Sequence, residues 1–407
     1  MKLKFVPGAR FTCRRCTQCC RLFHVPVTEE DLRALQQLAW PQADPLATSA
    51  ATKHFRGQRY LAQKPCGACI YLDEETRTCK IHVRFGASEK PLACRLFPFS
   101  LAATFEGEVS VSRRFDCPSV RKNDGRPCSE QRKDLQSATP LLTLSDTLSD
   151  SARAGLERKA VETIVSFIQG SLSRYERDAD KASFLLFVSE WLESLTAKFL
   201  NTMDLGRILP PLVDRMREQM ATIQAPRPGR IERFYFRVLL AFYMRRDEDV
   251  LQRRANRFMR ALSIAKVVLG RGNLQRLGCS HRSAPLTEVK LFSEGTTRPP
   301  DTALQPFWEL VRERLLTLQF MGRANLHNTF FFGLRSLALL YPLVLAVAHT
   351  SRASRGNGAI DPDDLDYAVA GVAHSFGRYP LLGTTFGRHV QKALGQRATF
   401  RRLTLWL

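Results

Sequence analysis

Four cysteines fall within eight residues near the start of the chain, in the run Cys13-Arg14-Arg15-Cys16-Thr17-Gln18-Cys19-Cys20. Sulfur at this density is seldom kept for packing, because the chemistry of a free cysteine usually decides where it is placed. Thiols at i, i+3 and i+6 let one tight loop turn Cys13, Cys16 and Cys19 toward a single centre, which is how a metal ion or metal–sulfur cluster is gripped. Cys20 follows directly on Cys19 and the two cannot readily point the same way, so the spacing leaves one of them to a second site or to packing. The chain has eleven cysteines, and the others are Cys66, Cys69, Cys79, Cys94, Cys117, Cys128 and Cys279. Their clustering in the first third, rather than their number, is the signal.

A disulfide framework is the competing reading. It belongs to secreted domains too small to build a core. The start of this chain, Met1-Lys2-Leu3-Lys4-Phe5-Val6-Pro7-Gly8, has no apolar stretch of signal-peptide length, and 407 residues are ample for a core without staples. The expectation is therefore a metal site in a cytoplasmic protein.

A longer pattern extends the first run. Phe11-x-Cys13-x-x-Cys16-x-x-Cys19-Cys20 is followed by Val27-Thr28-x-x-Asp31, by Cys69-Ile70-Tyr71-Leu72 and by Cys79-Lys80-Ile81-His82. Lys90-Pro91-Leu92-Ala93-Cys94-Arg95-Leu96-Phe97-Pro98 and Cys117-Pro118 complete it. Over about the first 120 residues this resembles the CxxCxxCC cysteine-cluster family, described as zinc- or iron-chelating domains. The resemblance implies metal ligands at Cys13, Cys16, Cys19, Cys20, Cys69, Cys79, Cys94 and Cys117. It leaves Cys66 outside the pattern, and assigns no role to Cys128 or Cys279. The family usually has Tyr and Arg where His82 and Lys90 stand. The long interval from Cys79 to Cys94, with the total length, is similar to the flagellin lysine-N-methylases, although Arg21-Leu22-Phe23 replaces the Gly-Trp of that branch. This second likeness implies S-adenosylmethionine and methylation of lysines on a surface protein such as flagellin.

Eight thiolates suit two four-coordinate zinc ions. A cubane iron–sulfur cluster takes four, commonly three close together and one remote cysteine followed by Pro, and Cys117-Pro118 has that form. Zinc ligands usually come as two separated pairs, so the compact first run favours iron–sulfur over zinc. His24 and His82 are lesser ligand candidates, more often found supporting such a site than binding in it. Arg14, Arg15, Arg21 and Arg95 crowd the cysteines, where cations lower thiol pKa values and offset cluster charge.

The elements that must carry these residues can be sketched. Thr28 with Glu29, Glu30 and Asp31 opens a helix running to about Trp40, with Leu32, Leu35, Leu38 and Ala39 as an apolar stripe toward the cluster. Ile70–Leu72 and Thr78–Ile81 form a hairpin, and a second turns at Glu106-Gly107 with Val109 and Val111 on one face. Residues 118–150 are polar and rich in breakers and read as a loop or linker. Beyond them apolar spacings of three and four mark helices over 158–172, 182–200, 231–244, 255–269 and 304–321. A breaker stretch covers 270–300, with Gly270-Arg271-Gly272 as a helix C-cap, and Asp361-Pro362-Asp363-Asp364 opens a further helix. The fold class is mainly α: an irregular α+β cysteine domain (1–128), a linker (129–150) and a helical domain (151–407). Ser336–Ala348, after Phe330-Phe331-Phe332, is too short to span a membrane and reads as a buried helix. Phe234-Tyr235-Phe236 and Phe242-Tyr243 read as core.

The net charge of +22 and pI of about 10.0 favour acidic partners. The cations are dispersed over Arg215, Arg217, Arg245, Arg246, Arg253, Arg254, Arg260, Arg401 and Arg402, and no nucleic-acid motif accompanies them, so a protein partner is favoured over nucleic acid. No Walker loop, nucleophile elbow or His-Glu-x-x-His appears. The function these features support is a metal-binding cysteine cluster joined to a helical domain that docks a substrate or partner. The methylase, and a basic nucleic-acid-associated protein with structural metal, are the alternatives.

Overall fold

The computed structural model describes all residues except 1, 56, 139–147, 224, 245–254, 275–285, 288, 290, 293–298, 300 and 357. Cys279, Arg245, Arg246, Arg253, Arg254 and most of the 270–300 stretch therefore lie outside the described residues.

In the cysteine-rich part, β6 (Phe99–Ala103) and β7 (Glu108–Arg113) form the antiparallel hairpin expected at Gly107, and Val109 and Val111 are both buried. A strand not anticipated, β1 (Lys2–Phe5), pairs parallel to β7 and completes a sheet of order β1-β7-β6. The alternate residues of β7 are equally buried, because the opposite face carries polar groups toward helical residues. Ser112 Oγ meets Gln319 Oε1 at 2.7 Å, and Gln319 Nε2 donates to the Ser100 carbonyl at 3.0 Å. Two further ribbons, β2 (Thr52–Phe55) with β3 (Gln58–Leu61) and β4 (Leu72–Asp73) with β5 (Thr78–Cys79), are antiparallel. The β4–β5 hairpin is shorter than expected, since Cys79 caps α3 (Lys80–Phe85) and Ile81 is helical.

Short helices fill the rest of this part: α1 (Gln18–Leu22), α2 (Glu29–Gln37), α4 (Leu92–Leu96), α5 (Pro118–Arg121) and α6 (Arg132–Ala138). The last two correct the expectation of loop after Pro118: Val120 and Leu135 are core residues, so this segment is packed structure. Helix α2 starts at its Thr28 cap as expected but stops at Gln37, three residues short of Trp40.

The remainder is helical: α7 (Asp150–Arg153), α8 (Arg158–Leu172), α9 (Asp178–Glu193), α10 (Ala197–Thr202), α11 (Leu205–Ile208), α12 (Pro210–Thr222) and α13 (Arg230–Tyr243). They are followed by α14 (Ala255–Val268), α15 (Gln305–Leu316), α16 (Phe330–Ala353), α17 (Pro362–Ser375), α18 (Thr385–Leu394) and α19 (Arg397–Trp406). The mainly α class is as expected. The helix expected over 182–200 is two, because Thr196 accepts from the Phe199 N–H and starts a new one. The helix expected to reach Met321 stops at Leu316, and Leu318 takes a left-handed φ of 56°. Phe236, Phe242 and Tyr243 are core, but Phe234 is exposed.

Helix α16 is the axis of the helical part. It is apolar on every side, which suits an element surrounded by protein. It runs well beyond the expected 336–348 segment, and its 24 residues are long and apolar enough to cross a membrane, which corrects the expectation of a run too short to span. The burial is as expected, since its most apolar window is entirely buried against its neighbours. One continuous core runs from Leu3, Val111 and Phe115 through α9, α15, α16 and α17 to Leu407. Ion pairs made by buried arginines stitch the two parts together. Arg113 of β7 reaches Glu313 of α15 at 2.7 Å, and Arg121 of α5 holds Asp366 of α17 at 2.5 and 2.6 Å. A second, small core of Val27, Leu35, Leu61, Tyr71 and Ile81 holds the remaining cysteine-bearing segments.

Candidate metal centre

The Cys13–Cys20 loop is shaped by two left-handed residues, Arg15 (φ 53°) and Thr17 (φ 61°). Non-glycine residues rarely adopt this conformation. Here it reverses the chain on both sides of Cys16, so successive cysteines face one side. The loop is pinned at its base, where the Phe11 N–H donates to the Arg126 carbonyl at 2.9 Å and the Arg126 N–H to Thr12 Oγ1 at 3.2 Å. Thr17 then leads into α1, which carries Cys19 and Cys20. Their Sγ atoms lie 3.9 Å apart. Both line the same cavity, so neither is left to packing elsewhere as the spacing suggested for one of them: the short helix turns both along one wall.

The second block is tied directly to the first. The Cys69 N–H donates to the Cys20 carbonyl at 2.8 Å. Cys79 stands opposite Leu72 in the β4–β5 ribbon. Cys94 lies within α4, and Asp31 explains how that helix is held. One oxygen of its carboxylate accepts the Thr28 N–H at 3.0 Å to close the cap of α2, and the other takes the Leu92 N–H at 2.7 Å. A single carboxylate thus fixes α2 against the start of α4, two residues before Cys94. The α2 stripe is placed as expected at Leu32, Leu35 and Leu38, which join the small core against which Cys69, Cys79 and Cys94 pack, but not at Ala39, which is exposed beyond the helix end. Cys117 caps α5 and arrives from β7, as the hairpin implied.

All eight cysteines implied by the resemblance line one cavity of about 540 Å³. Cys13 and Cys16 are on its exposed rim, while Cys117 is buried. Neither Cys66, which is exposed, nor Cys128, which is buried in the main core, lines it. Among the described residues no three His, Cys, Asp or Glu side chains close on one point where a single ion could be held. The donors surround a volume instead.

The electrostatics follow from burial. It pushes the Cys69 and Cys117 thiols up to about 11, and raises Cys16 and Cys94. Cys19 rises chiefly through its contact with Cys20, then through burial. Lys90 is the cation opposing these shifts at Cys19 and Cys94. The arginines expected in that role are mostly engaged elsewhere: Arg14 with Asp124, Arg21 with Glu74, and Arg95 with the Ser88 carbonyl at 3.3 Å. Only Arg15 of the four lines the cavity. His24 and His82 line it too, and burial with Lys53 lowers His24 to about 4. His24 Nδ1 is buried without a hydrogen-bond partner.

Sequence reading missed the wall facing the helical part. Asp116, beside Cys117, is buried between Arg114 at 2.6 Å, His374 Nδ1 at 3.1 Å and Arg378 at 3.5 Å. Burial alone would raise its carboxyl, but Arg114, the His374 hydrogen bond and Arg378 overcome that and hold it well below the ordinary carboxylate range. Phe23 stacks on the His374 ring at 5.7 Å, with the Arg114 guanidinium 4.8 Å from the Phe23 centroid. Since His374 belongs to α17, the helical part reaches the cavity wall. No spacing could have shown this, because the partners lie about 250 residues apart in the chain.

Thiols in this number around one space form a donor set suited to soft or borderline metals. The chain resembles no curated protein and no solved structure in the corresponding comparisons. Residues 12–128 match the model of the CxxCxxCC family, described as a "Putative zinc- or iron-chelating domain", so the cysteine-rich part of this chain is similar to that family over those residues.

Proposed function

We propose that the eight cysteines hold an iron–sulfur cluster in preference to zinc. The observation that carries this is the space between them. Four thiolates around one zinc, at Zn–S of about 2.3 Å, stand within roughly 4 Å of one another and enclose no void. Here eight thiols face about 540 Å³, room suited to a group of several atoms. When bound, such a cluster supplies electron transfer or a Lewis-acidic iron. The chain's own part is to exclude water with Phe23, Phe97, Ile81 and Leu61, to offset thiolate charge with Lys90, and to fix the wall through Asp116 and His374. We further infer that the protein works in the reducing cytoplasm and that its helical part docks a protein partner or substrate.

Anaerobic purification followed by iron, zinc and sulfide analysis and an absorption spectrum tests the assignment. Iron with equivalent acid-labile sulfide and a broad visible absorption is expected. Two zinc ions per chain without sulfide would replace iron with zinc and leave the chelating domain intact. Titration of the metallated protein with S-adenosylmethionine decides the methylase alternative, which absence of binding removes.

A further inference from the structure

A second cavity, of about 660 Å³, lies on the other side of the Asp116 cluster. It is bounded by β6, by the turn between α15 and α16, by residues 148–152 and by the chain just after α17. Its volume is in the range of small-molecule sites. Its charge is one-sided: Arg314, Arg323 and Arg378 line it together with the His327 ring, and among the described residues no Asp or Glu does.

Arg314 is the informative member. It is 5% exposed, and its Nη1 donates to Ser112 Oγ at 2.9 Å and to Gln319 Oε1 at 3.1 Å. Among the described residues no carboxylate forms an ion pair with it, and its buried Nε has no acceptor. The adjacent Glu313 is committed to Arg113, and Asp116 to Arg114, His374 and Arg378. A buried guanidinium is costly unless an anion pairs with it. A merely solvated arginine of a basic chain would remain at the surface.

The turn presenting Arg323 and His327 is preorganised. The Gly322 N–H donates to the Asn328 carbonyl at 2.8 Å, Asn325 Nδ2 donates to the Phe320 carbonyl at 2.7 Å, and Gly322, Leu326 and His327 all have positive φ. This sets exposed Arg323 at the mouth, above buried Arg314. Ser149, Ser151 and Thr104 add hydroxyls to the lining.

We propose that this cavity binds a small organic oxyanion, a carboxylate or phosphate, with Arg314 at the floor and Arg323 at the mouth as its charged partners. Guanidinium forks match both oxyanions in bidentate geometry.

The test is isothermal titration of the full-length protein with inorganic phosphate and, separately, with malonate at constant ionic strength. The proteins compared are the unaltered chain, Arg323→Gln, Arg314→Gln and Arg207→Gln, the last removing an exposed arginine remote from the cavity. Saturable one-site binding of at least one probe is expected, weakened about tenfold or more by Arg323→Gln and unchanged by Arg207→Gln. Arg323 is exposed, so its variant keeps the test valid even where Arg314→Gln fails to fold. Binding of phosphate alone assigns a phosphorylated ligand, and of malonate alone a carboxylate. Failure of both probes, or binding that Arg323→Gln leaves unchanged, overturns the proposal. Neither outcome depends on which metal the cysteines hold.

Discussion

Replacing Glu313 with Gln tests whether the cysteine domain and the helical part are one cooperative unit. The Arg113 and Glu313 side chains are 2% and 1% exposed. Arg113 Nε and Nη2 donate to Glu313 Oε2 at 2.9 and 2.7 Å, and the Arg113 backbone N–H donates to Oε1. Burial leaves the Glu313 carboxyl above its ordinary value despite Arg113 beside it. The intact pair therefore adds little net stability, while breaking it strands a buried cation, at about 3–5 kcal/mol. Glu313→Gln keeps the shape, and Arg113 Nη1 retains the Arg10 carbonyl at 2.8 Å and Asn123 Oδ1 at 2.6 Å, so the low end, about 3 kcal/mol, applies. An unfolding entropy of about 2.1 cal/mol/K per residue over 407 residues gives roughly 0.85 kcal/mol/K. The expected fall in Tm is then about 3–4 °C, read by calorimetry as a shift of one transition. Glu309→Gln is the control: its partner Arg312 is 3.5 Å away and partly exposed, and such pairs contribute under about 1 kcal/mol. An equal shift for both variants, or a transition that splits without moving the helical component, would refute the reasoning.

Cys16→Ser should lower both metal content and soluble yield, because metal binding is coupled to folding in such domains, whereas Cys66→Ser should leave metal stoichiometry unchanged; elemental analysis of both variants decides it. In metal-free protein, Cys69 and Cys117 should alkylate slowly at neutral pH and accelerate as pH rises toward about 11, with exposed Cys66 labelled first by mass spectrometry. Because those thiols are protonated at neutral pH, metal uptake should release protons and weaken as pH falls, which buffers of different ionisation enthalpy would reveal in titration calorimetry. His349 is held at about 4 chiefly by burial, against an ordinary 6.5. Its folded pKa is depressed, so its contribution is complete above about 6.5 and is lost as pH falls toward 4. Urea unfolding should show about 2 kcal/mol lost between pH 7 and pH 5, reduced in His349→Gln.

What the sequence made legible was local. Thr28 and Asp361 both cap helices through capping boxes, and Arg158–Leu172 is the span its periodicity indicated. Alternation placed Val109 and Val111 together on one face of a hairpin, the apolar one of two buried faces. The misses share a physical origin in distance or in terminating chemistry. Strand β1 finds its partner more than a hundred residues later, and a parallel pairing leaves no turn signal. Ile81 has strand propensity, yet the chain turns helical at Lys80 directly after Cys79 and buries Ile81 in the small core. For the site, local spacing brought together Cys13, Cys16 and Cys19, because loop geometry acts over a few residues, and the family resemblance supplied the other five cysteines that line the cavity. It did not identify Lys90 as the opposing cation, or Asp116 and His374 as the wall, because those roles come from tertiary packing.

That wall makes the helical part more than a neighbour of the chelating domain. Asp116 adjoins Cys117, and its carboxylate is met by Arg114 from its own strand's end, by a hydrogen-bond contact with His374 of α17 and by Arg378 just beyond that helix. Any group that draws Cys117 inward must move Asp116 and therefore reload the contacts that α17 makes. The same Arg378 lines the cationic cavity, so the thiol-lined space and the cationic space share one charged partition. Coupling between sites is reciprocal: an occupant of either cavity that favours one arrangement of Asp116 and Arg378 changes affinity at the other by the same factor. Asp116→Asn keeps the shape of this partition but removes its charge. It should therefore diminish the effect of metal loading on anion affinity while leaving both cavities lined by the same residues.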